Sequence, residues 1–294
     1  MNKTHPASHG DHKILPSHGD FQGAKMKERT PSHEKPLVNL AGIEHWNSVW
    51  NRDKVKRIDL RSYYDYRLSV FFQQWIDPSS RVLEVGCGGS VWLPYFAKHM
   101  QCEVWGIDYS APGVELCLDN LRAEGVSGNI ILGDVFDSTE IPQRSFDILW
   151  SAGFIEHFND IRRVIGRLAE YLKPGGVMIT LVPNLNGFVG WLHRVVDQEV
   201  FYAHTKIEPK MLDRLHSEAG FEILSRAQFF GIFSIGVVNF NRFKAQLPGI
   251  LDAVFWSSIL IIQQSICLPF RLLGFHPETR WFSPWILGIY RLPQ

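Results

Sequence analysis

The chain has 294 residues, 45% of them apolar, with Lys+Arg and Asp+Glu equal at 30 each. That length buries one large core, or a core with an appendage. The balanced charge excludes a global field that would draw the protein to nucleic acid or to an anionic membrane.

Its four cysteines, Cys87, Cys102, Cys117 and Cys267, form no C-x-x-C and read as reduced thiols of a cytoplasmic protein. No apolar h-region opens the chain, so no secretory signal is expected. Residues 1–36 are rich in Pro, Ser, His, Gly and Lys, and SHGD occurs at Ser8–Asp11 and again at Ser17–Asp20. Such a segment buries too little surface to offset its ordering entropy, which predicts a disordered tail. The tail histidines (His5, His9, His12, His18, His33) lack the spacing of a fixed coordination shell and read as solvated.

An N-terminal helical cap is expected over 37–78. Its aromatic residues, among them Trp46, Trp50, Tyr63, Tyr64, Tyr66, Phe71, Phe72 and Trp75, recur at loosely helical spacing. They predict one or two helices ending before Asp77-Pro78, with most rings in the core. Tyr63, Tyr64 and Arg67 precede a glycine-rich segment and are candidates to cover a ligand there.

From residue 79 to 294 the pattern alternates. Strands are expected at 81–86, 103–107, 129–133, 146–151 and 176–182, and helices at about 91–100, 111–124 and 159–172. Alternation at this spacing implies parallel strands with helices on both faces. Lys173-Pro174-Gly175-Gly176 reads as the end of the last helix and the turn into the fifth strand. A helix at 208–219 and strands at 221–230 and 284–292 follow.

Residues 231–283 break the pattern as a hydrophobic helical insertion. Ala253–Phe270 carries no charge, and its length enters the range of a membrane span. Against a span stand five polar residues from Ser257 to Ser265, a proline at Pro269, and a closing strand that must return to the same sheet. Three placements are open: a span, a surface helix pair that dips into a membrane or covers an apolar substrate, and ordinary core. The middle one makes 250–273 a peripheral membrane contact.

The chemistry sits at the strand ends, where open parallel sheets bind ligands. The first strand runs through Arg81–Ser90, RVLEVGCGGS, into Gly86, Gly88 and Gly89, whose backbone a ligand can approach closely. Glu84 at its mouth repels phosphate and welcomes a cationic amino group or a sugar hydroxyl. A dinucleotide G-x-G-x-x-G would need glycine where Val91 stands. The second strand ends in Asp108, about twenty residues on, a spacing that suits a carboxylate accepting ribose hydroxyls. Asp134 ends the third strand and can accept from an exocyclic amine; Gly153 and FIEHFND follow the fourth. Each has a plainer role available: Asp108 can cap the next helix and Asp134 can order its own turn. As an ordered set they ask for an adenosine with a cationic tail and no phosphates.

These segments, VLEVGCGGS, VWGIDYS, GDVFD, SFDILWSAGFIEHFND and LKPGGVMITLVPN, resemble class I S-adenosylmethionine-dependent methyltransferases. The resemblance implies an α/β Rossmann-like seven-stranded sheet, order 3-2-1-4-5-7-6, with the last strand antiparallel and helices on both faces. It implies S-adenosyl-L-methionine as cofactor, with Glu84, Gly86, Cys87 and Gly88 on its methionine side and Asp108 and Tyr109 at the ribose. Asp134 and Val135 would border the adenine, and Gly153 and His157 would lie near the sulfonium. Ser90 stands where the family carries a third glycine.

The expected reaction is in-line methyl transfer, at oxygen, to a small or lipid- or glycan-linked acceptor. A catalytically inactive adaptor of the same fold is the alternative. His157 is the first candidate for a general base, followed by His193, Tyr202 and His204. Trp191, Tyr202 and His204, with Tyr63, Tyr64 and Arg67, are candidate substrate contacts. No metal site is expected, because His193 and His204 lack metal-ligand spacing. A nucleic-acid partner is not expected without a basic groove. The oligomeric state is not legible.

Overall fold

Seven strands form one sheet in the order β3-β2-β1-β4-β5-β7-β6. They are β1 (Arg81–Val85), β2 (Glu103–Asp108), β3 (Asn129–Leu132), β4 (Phe146–Ala152), β5 (Leu172–Pro183), β6 (Glu222–Phe230) and β7 (Trp285–Arg291). The first five are parallel to their neighbours, and β7 runs antiparallel between β5 and β6. This is the expected topology. The computed structural model describes residues 37–51, 54–234, 238, 240 and 248–294. The tail over 1–36 lies outside the described residues, and Leu37–Gln294 form one compact unit.

Period-two alternation sends successive side chains to opposite faces. Leu83, Val85, Ile107, Leu149, Met178 and Tyr290 enter one core layer. Val82, Val104, Trp150, Ile179 and Leu287 enter the other. Helices α5 (Ile161–Ala169) and α8 (Pro209–Glu218) cover the first layer through Val164, Ile165, Leu168 and Leu212. Helices α2 (Tyr63–Trp75), α3 (Trp92–His99) and α4 (Ala111–Glu124) cover the second through Leu68, Phe72, Phe96 and Cys117. Burial on both faces explains why β1 and β4 read as near-continuous apolar runs.

Local signals set the boundaries. Ser110 caps α4 by accepting from the Gly113 amide, and Gly125 ends that helix at φ 70°. Asp160 caps α5 by accepting from Arg163 N at 3.1 Å. One expectation is corrected: Lys173–Gly176 lies inside β5 rather than turning into it. Gly175 takes φ 78°, and the β4–β5 register shifts between Phe146 and Ile148, so the segment is accommodated as a bulge.

The cap contains α1 (Gly42–Trp50) and α2. Two more helices, α6 (Phe188–Val196) and α7 (Gln198–Tyr202), follow β5. The hydrophobic insertion holds α9 (Gly249–Leu273). Its 20-residue stretch Val254–Leu273 is long and apolar enough to cross a membrane, yet only 6% of that window is buried. That overturns the ordinary-core placement. Trp256, Ile259, Gln263, Cys267 and Phe270 form the partly or fully buried seam, while Leu260, Ile261, Ile262, Ile266 and Leu268 are exposed. A single crossing is also incompatible with the sheet, because β6 before the helix pairs with β7 after it.

Candidate active site

A cavity of about 570 Å³ opens at the carboxyl ends of β1, β2 and β4. Glu84, Gly86, Gly88, Asp108, Tyr109, Gly153 and His157 line it. The β1–α3 loop turns through Gly86 (φ 68°) and Gly89 (φ 63°). A Cβ on Gly88 would come within 2.5 Å of the Trp50 ring nitrogen and 2.9 Å of Asp108 Oδ2, so only glycine is accommodated.

Glu84 is buried, and burial pushes its carboxyl from 4.5 to about 8, against the hydrogen bond from Ser90. Ser90 Oγ donates to Glu84 Oε2 at 2.5 Å and accepts from the Trp92 and Leu93 amides at 3.2 and 3.1 Å. The serine in place of a third glycine thus opens α3 and orients the carboxylate together. Asp108 Oδ2 accepts from Gly88 N at 2.9 Å and Oδ1 from Ser110 N at 2.8 Å. The Tyr109 amide also bears on this carboxylate, which still has lone-pair capacity for a ligand hydroxyl.

Other expectations are corrected. Cys87 turns into the core beside Cys117, its sulfur packed toward Gly106, so it contributes only backbone to the loop. Val135 is core, and its carbonyl accepts from Tyr171 Oη at 2.5 Å. Asp134 is exposed and orders its own turn, accepting from Phe136 N at 2.9 Å; neither residue lines the cavity. Tyr63, Tyr64 and Arg67 also face elsewhere. Tyr63 bonds His276 Nδ1 at 3.1 Å, Tyr64 packs on Phe230 and Trp285, and Arg67 pairs with Glu278 at 2.7 Å. Trp191 and Tyr202 point outward, 57% and 64% exposed. Among the candidate substrate contacts only His204 lines the cavity.

Beside the candidate bases His157 and His193, the cavity wall contains His45, Trp46, Val49, Trp50, Glu156 and Trp256, which the sequence reading did not select as site residues. Helix α1 supplies His45, Trp46, Val49 and Trp50, and α9 supplies Trp256. The one-turn helix Ile155–His157 supplies Glu156 and His157, and α6 supplies His193. Backbone bonds gather these segments: Leu40 N donates to His157 O at 2.7 Å, and Thr205 N donates to Glu156 O at 2.8 Å. The His157 and His204 rings lie 4.3 Å apart, and those of His193 and His204 5.7 Å. Trp46 meets His157 edge-on at 5.0 Å.

Burial, then the neighbouring His204 and His45, holds His157 well below its ordinary value. Burial, then His204, lowers His193 to about 4. Both imidazoles are therefore neutral near pH 7, each with a ring-nitrogen lone pair, and burial makes them weaker bases than a free imidazole. Glu156 is buried, which pushes it up to about 8. The expectation of no metal-ligand set rested on spacing along the chain. The structure instead assembles Glu156, His157 and His204 from two segments, with ligand atoms no farther than 4.8 Å from one another.

The methyltransferase-domain family profile matches residues 57–226. A ubiquinone biosynthesis O-methyltransferase of Coxiella burnetii (strain Dugway 5J108-111) is 31% identical over 174 residues, covering 59% of this chain and 73% of that protein. Phosphoethanolamine N-methyltransferase 3 of Arabidopsis thaliana is 34% identical over 108 residues, 36% of this chain and 21% of that one. The solved phosphoethanolamine N-methyltransferase 2 of Haemonchus contortus, in complex with phosphomonomethylethanolamine and S-adenosylhomocysteine, superposes with TM-score 0.54 at 16% identity. That match covers 79% of this chain and 53% of that one, so the chain spans about half its length.

Proposed function

The chain belongs to the class I S-adenosylmethionine-dependent methyltransferases, and we propose that it methylates a hydroxyl oxygen of a small, apolar, lipid-linked acceptor. The observation that carries this reading is the cavity wall opposite the glycine loop, where neutral His157 and His193 stand among aromatic rings. An alcohol or phenol must lose a proton on methylation, and a neutral imidazole near that proton is a general base. Apolar walls of Trp46, Phe154, Phe240 and Trp256 favour a ring or an acyl chain over a charged amine. The Coxiella relative, named for O-methylation, agrees with oxygen as acceptor.

S-Adenosylmethionine, the cofactor of the family, supplies a methyl group on a sulfonium whose departure leaves a neutral thioether. The residues fit it. Bare backbone at Gly86 and Gly88 permits close approach, Glu84 offers a buried carboxylate to an ammonium, and Asp108 offers free lone pairs to ribose hydroxyls. The chain's work is then to align the acceptor oxygen, exclude water and take up a proton.

Helix α9 extends the reading. Trp256 lines the cavity, and the exposed apolar residues lie on the same helix. We take this as a route by which a lipid-linked acceptor enters from a membrane surface, with the protein peripheral to it on the cytoplasmic side. The four buried free thiols agree with a reducing compartment.

A screen with methyl-labelled cofactor across phenols, prenylated phenols, glycolipids, sugars and amines tests the reading. Transfer to a phenol, strongest with an apolar tail, is expected; transfer confined to amines overturns it. Asp108→Ala weakens cofactor binding in calorimetry by about 2–3 kcal/mol, the scale of charge-assisted hydrogen bonds. Unchanged affinity removes Asp108 from the ribose.

A further inference from the structure

Asp134, expected to accept from the adenine amine, is exposed, orders its own turn and does not line the cavity. The nucleobase end of the site must take its polar partner from elsewhere. Beyond Asp108 the cavity is bordered by Tyr109, Phe154 and Asn39. Asn39 belongs to a short strap, residues 37–41, that precedes α1 and lies outside the residues the family profile matches.

Backbone pairing holds this strap across the carboxyl edge of the sheet. Asn39 bridges Phe158 in antiparallel fashion. Val38 N donates to Asn159 Oδ1 at 3.1 Å, and Asn159 N donates to Val38 O at 3.3 Å. The Phe158 ring meets Phe136, which lies beyond β3, edge-on at 5.4 Å, and Phe154 at 5.0 Å. Tyr109, the residue after β2, reaches Asn39 through its hydroxyl. Asn39 thus stands where the segments after β2, β3 and β4 converge. A Cβ on Gly86 would fall 2.8 Å from Phe154 Cδ2, so the Phe154 ring reaches from the glycine loop to Phe158 and gives a purine an apolar wall.

The half-buried Asn39 amide is pinned in one orientation. Its Oδ1 accepts from the Ala41 amide at 3.0 Å. A backbone N–H only donates, so oxygen and nitrogen cannot exchange places. Its Nδ2 donates to Tyr109 Oη at 3.1 Å. A carboxamide has two lone pairs on oxygen and two N–H groups, so one of each is left over. An adjacent donor and acceptor complement the amine of adenine and the ring nitrogen beside it. Hypoxanthine carries a carbonyl in place of that amine and would set oxygen against Oδ1. A freely rotating amide could flip to suit it; this one would lose both of its bonds.

We infer that, whatever the methyl acceptor, Asn39 reads the 6-amino edge of the cofactor's purine and selects adenine over a 6-oxopurine.

Calorimetry with S-adenosylhomocysteine and S-inosylhomocysteine tests this without turnover, because the two compounds differ only in the purine. The wild type should bind the adenosyl compound about tenfold more tightly or better. Asn39→Ala should bring the two within about twofold, chiefly by weakening the adenosyl compound. Asn159→Ala loosens the strap from outside the cavity; it should weaken both compounds alike and keep their ratio. A merely structural role for Asn39 would likewise leave the ratio unmoved. Circular dichroism checks that each variant is folded. If Asn39→Ala fails to fold, Asn39→Ser replaces it, since a serine hydroxyl can still accept from the Ala41 amide. Equal binding of the two compounds by the wild type, a ratio unchanged by the Asn39 variant, or a ratio lost equally with Asn159→Ala overturns the assignment.

Discussion

Glu84 is a carboxylate kept where carboxylates are costly. Unliganded, it holds its proton to about pH 8. To face a cofactor ammonium it must release that proton, so below about pH 8 binding expels one. Affinity for S-adenosylmethionine therefore rises with pH, approaching about tenfold per unit, and levels above pH 8. Calorimetry in buffers of different ionisation enthalpy reads both slope and proton release. Glu84→Gln removes the pH dependence and loses about 2 kcal/mol of binding; a pH-dependent Gln variant would remove Glu84 from that role. Stability has the opposite sign. The native chain holds a proton that the unfolded chain releases between 4.5 and 8, so ligand-free stability contributed by this group falls as pH rises through that window. Glu84, Gly86, Gly88 and Asp108 were legible because local sequence places them: a buried strand, its end, and a turn. Tyr63, Tyr64 and Arg67 were not, because the rotation of α2 against Phe230 and Trp285 aims them away. That rotation depends on β6 and β7, well over a hundred residues later.

At the scale of elements, α1 has no buried residue, and its aromatic side chains cover the glycine loop. It is held by few bonds. Ser110 Oγ donates to Asn47 Oδ1 at 2.7 Å, and Asn39 Nδ2 donates to Tyr109 Oη at 3.1 Å. The Trp50 indole lies on Gly88, Gly89 and Gly113, its ring nitrogen buried without a partner. A ligand reaching those loop amides must move this ring, so α1 behaves as a lid of low local stability. Asn47→Ala removes about 1 kcal/mol of closure, and should raise the cofactor association rate about fivefold. Stopped-flow tryptophan fluorescence measures it, and Trp50→Phe should remove most of the signal. An unchanged rate with Asn47→Ala means the lid does not gate entry. Helical spacing placed Trp46 and Trp50 on a helix but read them as core. A lid and a core helix share the same pattern, and only the partner surface distinguishes them.

Over the whole molecule, alternation of buried strands and amphipathic helices made the parallel α/β layering legible and the family resemblance supplied the strand order, while the surroundings of α9 were not legible. An uncharged run is equally consistent with a core helix, a span or an exposed face. Pairing of β6 with β7 leaves α9 outside the core and on one side of any membrane. Leu260, Ile261, Ile262, Ile266 and Leu268 are each exposed, Ile261 by 66%. Full burial of such a side chain is worth about 1.5–3 kcal/mol, so partial insertion of five amounts to several kcal/mol. The chain has no net charge, 30 against 30, so this attraction is apolar. The protein is therefore expected to float with zwitterionic phosphatidylcholine vesicles, with little change at high salt. The double variant Ile261→Lys, Ile262→Lys should stay in the soluble fraction with an unchanged melting temperature, since neither side chain supports the fold. Flotation that requires anionic lipid, or a melting temperature that drops with the substitutions, would return α9 to an electrostatic or a structural role.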